Sequence, residues 1–133
     1  MPLPAAVGET TRRAGLITVR VAPRRFWLLL DSAAEALPLP LDPDLGCSLD
    51  LRDGRVRLRL GGCRLRDVLA KCLAVDWASL AASPGRSAQA SLHHVPVLLI
   101  RTEEDAAELI VPRSFAVSLS SLILDEAREF TTA

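Results

Sequence analysis

The sequence predicts a single α+β domain with a mostly antiparallel sheet and helices packed on one face. Two strand-like segments come first, three more follow one another with short connections, and two segments space their apolar residues as helices do. A length of 133 residues matches one domain. We expect residues 1–15 to form a loose N-terminal arm and residues 16–133 to form the domain.

The first two strand-like segments lie directly after the arm. Leu16–Val21 alternates apolar and polar residues and is rich in β-branched side chains, which predicts an edge strand. Arg25–Leu30 is a short, almost continuous apolar run, which predicts a strand buried on both faces. Asp31 is then expected to cap a short helix that the prolines after it would end.

The next strand-like region surrounds Asp53-Gly54, a dipeptide typical of tight hairpin turns. Residues alternate in the segments on both sides of it, so we expect a hairpin. The second segment should turn its apolar residues to the core and its basic residues outward: Val56, Leu58 and Leu60 inward, and Arg55, Arg57 and Arg59 outward. The arginine row is either a solvated strand face or an anion-binding surface.

The first helix is predicted from apolar residues at helical spacing, which are Leu65, Val68, Leu69, Cys72 and Leu73. Cys72 falls on this apolar stripe, so we interpret it as a small buried hydrophobe instead of a nucleophile. Cys63 lies near the helix start, where the helix dipole lowers a thiol pKa, and is the better candidate thiol.

Three strands and a long helix complete the domain. The strands are expected at Ser87–Leu92, Val95–Arg101 and Ala107–Val111, and the helix at Pro112–Phe130. One broad face of this helix should pack on the core: Phe115, Leu119, Leu122, Ile123, Ala127 and Phe130. Another side carries Val117, Ser121 and Leu124, which we interpret as a partner interface, although scattered apolar surface residues are also common.

Composition excludes several classes of function. The formal net charge is zero and no tyrosine occurs, which argues against nucleic-acid binding. The three cysteines suit a reducing cytoplasm and not a disulfide framework. The longest apolar runs are too short to cross a membrane, and the N-terminus is unlike a signal peptide.

Other polar groups also lack the spacing of a site. His93 and His94 are adjacent, so strand geometry would turn them to opposite sides, and a turn is the better interpretation. The acidic run Glu103–Asp105 is expected to be a solvated hairpin tip. No glycine-rich phosphate loop is present. The residues therefore predict no catalytic, cofactor-binding or metal-binding site in this chain.

Four segments, in this order and spacing, carry a resemblance to a known family: RVRLRLGGCRLRDVLAK, PGRSAQASL, VPVLLIR and VPRSFAVSLSSLILDEAREF. With them the chain resembles the gamma subunit of heterotetrameric sarcosine oxidase, which belongs to a wider group similar to the glycine-cleavage T protein (aminomethyltransferase). The similarity covers about Cys47 to Phe130, and RRFWLLLDSAAEAL resembles the upstream segment of the family.

The resemblance implies a small, cofactor-free and non-catalytic subunit that packs against a large alpha-type subunit and a flavin-bearing beta-type subunit. In such enzymes FAD and FMN lie on or between beta and alpha, NAD and tetrahydrofolate are associated with alpha, and zinc with delta. The assembly oxidises an N-methyl or secondary amino acid and passes the one-carbon unit to folate.

The chain also departs from the family pattern. Cys72 and Ala74 replace a usual glycine and proline, so the first helix is expected to run further. The last helix has Ser118, Ser120 and Leu122 where the family tends to place bulky aromatics. These departures leave the substrate open, and we expect sarcosine or a related amine, proline or hydroxyproline. The alternatives are a free-standing folate-binding or one-carbon-transfer module and a plain interaction domain.

Overall fold

The structure is a computed structural model that describes residues 3–31, 41–81 and 85–131. Within these ranges the strands are β1 (Thr10–Arg13), β2 (Leu16–Ala22), β3 (Arg25–Leu30), β4 (Arg55–Gly61), β5 (Ser87–Leu92), β6 (Val95–Glu103) and β7 (Ala106–Pro112). The helices are α1 (Leu65–Cys72), α2 (Trp77–Ala81) and α3 (Ala116–Thr131).

The strands form two antiparallel sheets. The larger sheet has the order β4-β7-β6-β5 and the smaller sheet has the order β1-β2-β3. Apolar residues of all three helices pack on one face of the larger sheet. The smaller sheet covers part of the opposite face. The predicted α+β class with antiparallel strands and helices on one face is confirmed.

The strands β6 and β7 are buried on both faces, which explains their continuous apolar runs. Val97 and Leu99 of β6 pack toward the helices, whereas Leu98 and Ile100 pack toward the smaller sheet. These four side chains are between 1% and 5% exposed. The three predicted strand positions at β5, β6 and β7 are correct, and β6 and β7 are each longer than predicted.

The predicted loose arm is wrong for Thr10–Arg13, because these residues form β1 and pair with β2. The two-residue turn between them, Ala14-Gly15, has φ values of 48° and 79°, as in a type I′ hairpin. Alanine is uncommon at such a position, so the turn is hard to predict. Upstream, Gly8 accepts a hydrogen bond from the Ser87 backbone N–H at 2.7 Å, which ties the arm to the larger sheet.

The roles of β2 and β3 are the reverse of those predicted. Leu16–Val21 was expected at an edge, yet β2 is the central strand of the smaller sheet and Ile17 and Val19 are buried. Arg25–Leu30 was expected to be buried on both faces, yet β3 is an edge strand of half-buried and exposed residues. The short helix predicted after Asp31 lies outside the described residues.

The predicted hairpin around Asp53-Gly54 is wrong. Arg52–Gly54 forms a single 3-10 turn, and residues 47–51 are exposed without strand pairing. The segment after the turn is a strand, β4, but its partner is β7, with Val56 opposite Val111. The dipeptide therefore predicts the turn correctly. It does not predict the strand pairing, which β4 makes with the distant strand β7.

The helix α1 is confirmed over Leu65–Cys72, but it does not run further as its missing glycine suggested. Leu73 is extended, with φ of −124°, and its buried side chain packs in the core. A second helix, α2, follows instead. The Asp76 carboxylate caps it by accepting hydrogen bonds from the backbone N–H groups of Ala78 at 3.1 Å and Ser79 at 3.2 Å.

The helix α3 begins four residues later than predicted, after a 3-10 turn at Arg113–Phe115. Leu119 and Ile123 are buried on its core face, and Leu122, Ala127 and Phe130 pack against the same cluster. Phe115 is 45% exposed and does not join that face. A 3-10 turn advances three residues per turn, so the helical spacing used to place Phe115 does not apply there.

Candidate functional site

The candidate nucleophile Cys72 lies at the end of α1, half-buried against the helix-face core. Burial raises the pKa of its thiol, and the negative charge of Glu126 raises it further. A thiol with a raised pKa is mostly protonated at neutral pH and is a poor nucleophile. These surroundings support the structural role predicted for Cys72.

The other two cysteines are exposed. Cys63 lies in the turn before α1, as predicted, and Cys47 lies in the segment without regular secondary structure. The N-cap position of α1 is Arg64, which makes no side-chain cap hydrogen bond. Cys63 stays an alternative candidate thiol, and no catalytic role is assigned to it.

The two histidines occupy the turn between β5 and β6, as predicted. His93 and His94 have φ values of 50° and 66°, the left-handed pair that a type I′ turn requires. The acidic turn at Glu104-Asp105 lies at the other end of β6. A nine-residue strand is about 30 Å long, so the structure keeps these two groups far apart. Within the described residues no group of three or more His, Cys, Asp or Glu side chains could hold a metal ion.

The arginine row of β4 is not simply a solvated face. Arg57 donates to the Glu108 carboxylate at 2.7 Å and 2.9 Å from Nη2 and at 3.1 Å from Nε. Its Nη1 donates to the Leu30 carbonyl at 2.8 Å, and Nη2 lies 3.3 Å from Asp31. The Glu108 side chain is only 7% exposed and that of Arg57 is 20% exposed. This buried ion pair connects β4 and β7 to the end of β3.

Its neighbour Arg59 has a different environment. The Arg59 side chain is 72% exposed and its Nε lies 3.5 Å from Glu108. The sequence pattern predicts the same environment for Arg57 and Arg59, because residues two positions apart on a strand point to the same face of the sheet. Because of where the smaller sheet lies, Arg57 is mostly buried and Arg59 is exposed. The local sequence pattern does not predict the position of that sheet.

A second charged cluster joins α1 to α3. The Lys71 ammonium group donates to the carboxylates of Glu126, at 2.8 Å, and Glu129. The hydrogen bonds that Lys71 donates to Glu126 and to Glu129, of which that to Glu126 has the larger effect, raise the pKa of Lys71. The Arg64 guanidinium lies over the Phe130 ring, with Cζ 4.6 Å from the ring centroid. The only lysine of the chain is therefore an inter-helix contact and is not placed as a catalytic base.

The candidate partner interface lies on the side of α3 that faces away from the core. Val117 is 80% exposed and Leu124 is 66% exposed, and Ser121 is exposed between them. Residues four and three positions apart lie on one helix face, so the three side chains form one stripe. The structure thus leaves this stripe uncovered within the described chain.

The described helices include none long and apolar enough to cross a membrane.

Comparisons with known proteins place this chain in a family. No family model matches the sequence. The gamma subunit of sarcosine oxidase from Corynebacterium sp. (strain U-96) is 32% identical over 139 residues, covering 98% of this chain and 66% of the relative. The chain therefore spans about two thirds of the length of that relative.

The fold comparison agrees with the sequence. A chain of the heterotetrameric sarcosine oxidase from Corynebacterium sp. U-96, solved in complex with pyrrole 2-carboxylate, matches with a TM-score of 0.80 and 32% identity. The match covers 98% of this chain and 69% of that chain. The family that the sequence motifs resemble is the one found by both comparisons. The chain belongs to the family of the sarcosine oxidase gamma subunit.

Proposed function

We propose that this chain is a non-catalytic gamma-type subunit of a multisubunit flavin-dependent oxidoreductase that acts on sarcosine or a related secondary amino acid such as proline or hydroxyproline. The observation that carries the proposal is the match over 98% of the chain, at a TM-score of 0.80, to a chain of a heterotetrameric sarcosine oxidase. The partners are a large alpha-type subunit and a flavin-bearing beta-type subunit, in the cytoplasm.

The chemistry of the described residues supports a role without catalysis. The half-buried thiol of Cys72 has a raised pKa, and Lys71 is held between two carboxylates. The histidine turn and the acidic turn lie at opposite ends of β6. We assign FAD, FMN, NAD and tetrahydrofolate to the partner subunits and no cofactor to this chain.

The proposed function is tested by co-purification. A tagged copy of the chain, expressed in its native host, should retain two larger proteins and bring flavin absorbance into the purified complex. The complex should oxidise sarcosine or a cyclic secondary amino acid. A tagged chain that returns alone, or with partners that carry no flavin, would contradict the proposal.

We further propose that the stripe of Val117, Ser121 and Leu124 is part of the subunit interface. A side chain buried by a partner contributes at most about 1.5–3 kcal/mol, which favours covering Val117 and Leu124 in the complex. Ser121 is small enough to let another chain approach the helix closely.

Neighbouring residues enlarge this surface. Phe115 is 45% exposed just before α3, and the turn at Arg52–Gly54 lies against its 3-10 turn. This contact brings Leu51, also 45% exposed, to the start of α3, and Leu49 before it is 79% exposed. Clusters of exposed apolar side chains on a protein surface mark protein–protein interaction sites.

The interface proposal is tested by placing charge on the stripe. Val117→Glu with Leu124→Glu should abolish co-purification, while the isolated domain keeps its melting temperature because both positions are exposed. The matched control is Arg66→Glu with Ala70→Glu, which puts two glutamates on the exposed side of α1. The control complex should still assemble. Assembly of the stripe variant at the wild-type level would place the interface elsewhere.

A further inference from the structure

An open cleft of about 400 Å³ lies where the edge strand β3 meets the uncovered part of the larger sheet. The strand β3 contributes Arg25 and Trp27, and β4 contributes Arg55. Gln89 and Ser91 of β5 line the other side. The cleft thus lies between one edge of the three-stranded sheet and the face of the four-stranded sheet.

Two arginines give this cleft a positive charge. The Arg55 guanidinium lies over the Trp27 ring, with Cζ 5.8 Å from the ring centroid. This cation–π contact holds the guanidinium against the ring, and a guanidinium presents its N–H donors in its own plane. Within the described ranges neither Arg25 nor Arg55 forms a salt bridge, whereas Arg57 on the same strand as Arg55 is paired with Glu108 and Asp31.

The remaining lining is partly polar and partly apolar. Gln89 donates a hydrogen bond from Nε2 to the Val21 carbonyl at 3.3 Å, which fixes the orientation of its amide. Ser91 adds a hydroxyl group. The half-buried Trp27 and the exposed Pro96 supply apolar surface. One small space thus combines two cationic donors, neutral hydrogen-bonding groups and a flat aromatic wall.

We propose that this cleft binds a small organic carboxylate with a flat apolar body. A volume of about 400 Å³ lies within the range of small-molecule sites, and the guanidinium fork matches the two oxygens of a carboxylate. The body of the ligand packs against Trp27, and Gln89 or Ser91 meets its polar substituents. The site is made entirely by this chain, so the proposal does not depend on the proposed subunit role.

The test uses benzoate, which has a carboxylate on a flat ring, and benzamide, which has the same shape without the charge. Calorimetric titration of the full chain should give saturable binding of benzoate and at least about tenfold weaker binding of benzamide. Benzoate should also change the Trp27 fluorescence in a Trp77→Phe background, where Trp27 is the single tryptophan.

Variants locate the site. Arg55→Gln and Arg25→Gln should each weaken benzoate binding by about tenfold or more. Arg55→Lys keeps the charge but loses the planar fork, so it should also weaken binding while preserving the fold. The control Arg66→Gln, on the exposed side of α1, should bind as the unaltered chain does. Equal affinity for benzoate and benzamide, or benzoate binding that survives Arg55→Gln, would overturn the proposal.

One further outcome separates two sources of the carboxylate. If benzoate does not bind the chain, but Arg55→Gln prevents recovery of the chain in a larger complex, the arginines meet an acidic side chain of a partner and the small-molecule proposal is wrong.

Discussion

The two faces of the four-stranded sheet are built by different means. The helix face is a large apolar cluster to which β6, β7 and the three helices contribute. The opposite face combines a smaller apolar cluster with the smaller sheet, the buried pair of Arg57 and Glu108, and an open cleft. Hydrophobic periodicity therefore specifies the helix face, whereas the opposite face also depends on polar pairing between distant parts of the chain.

The largest effect is expected from breaking the buried pair on the smaller-sheet face. Arg57→Met leaves the buried Glu108 carboxylate with only the exposed Arg59, whose Nε lies 3.5 Å away, and removing one partner of such a pair costs about 3–5 kcal/mol. Urea unfolding should show this loss in the free energy of unfolding. The control Arg59→Met, at a side chain that is 72% exposed, should cost less than about 1 kcal/mol.

A double variant sharpens this result. Arg57→Met with Glu108→Leu removes both charges, so most of the lost stability should return. If Arg57→Met is no more destabilising than Arg59→Met, the buried pair of Arg57 and Glu108 does not stabilise the smaller-sheet face.

A smaller effect is expected from two adjacent leucines of β6 that point to opposite faces. Leu98 and Leu99 are each 1% exposed. Leu99→Ala opens a cavity inside the larger cluster and should cost about 3 kcal/mol, whereas Leu98→Ala lies beside the open cleft and should cost about 2 kcal/mol. Urea unfolding of the matched variants measures both values. A larger loss of unfolding free energy for Leu98→Ala than for Leu99→Ala would show that the helix face is not the more tightly packed of the two faces.

The smallest effect concerns the Cys72 thiol on the helix face. Burial raises its pKa in the folded chain, so above about pH 8.5 the unfolded thiol ionises while the folded one keeps its proton. The unfolded state is then favoured, and stability falls as pH rises. Cys72→Ala should therefore lose less stability than the unaltered chain between neutral and alkaline pH. Urea unfolding of the two chains at the two pH values measures this difference. If Cys72→Ala and the unaltered chain lose the same stability as the pH rises, burial does not raise the pKa of the Cys72 thiol.

The sequence predicts the helix face well because its information is local. The stripe around Val68 and Leu69 placed α1 on the sheet, and the spacing of Leu119 and Ile123 placed the core face of α3. Phe115 was wrong because a 3-10 turn interrupts the helical spacing.

The other face is hard to predict for a physical reason. Alternation along β4 gives Arg57 and Arg59 the same side, but only the position of the smaller sheet decides which one is buried. The partner of β4 is β7, about fifty residues away in the chain, and no turn connects the two strands directly. The cleft beside Trp27 likewise depends on how far the smaller sheet extends over the larger one.

We propose that this chain supports flavin chemistry in a complex and performs none by itself. The most direct measurement is the visible absorption spectrum and amine-oxidising activity of the chain purified alone, compared with the complex co-purified from the native host. We expect the chain purified alone to be colourless and inactive, and the complex to be flavin-coloured and active. Stoichiometric flavin absorbance, or turnover of sarcosine or proline, in the chain purified alone would contradict it.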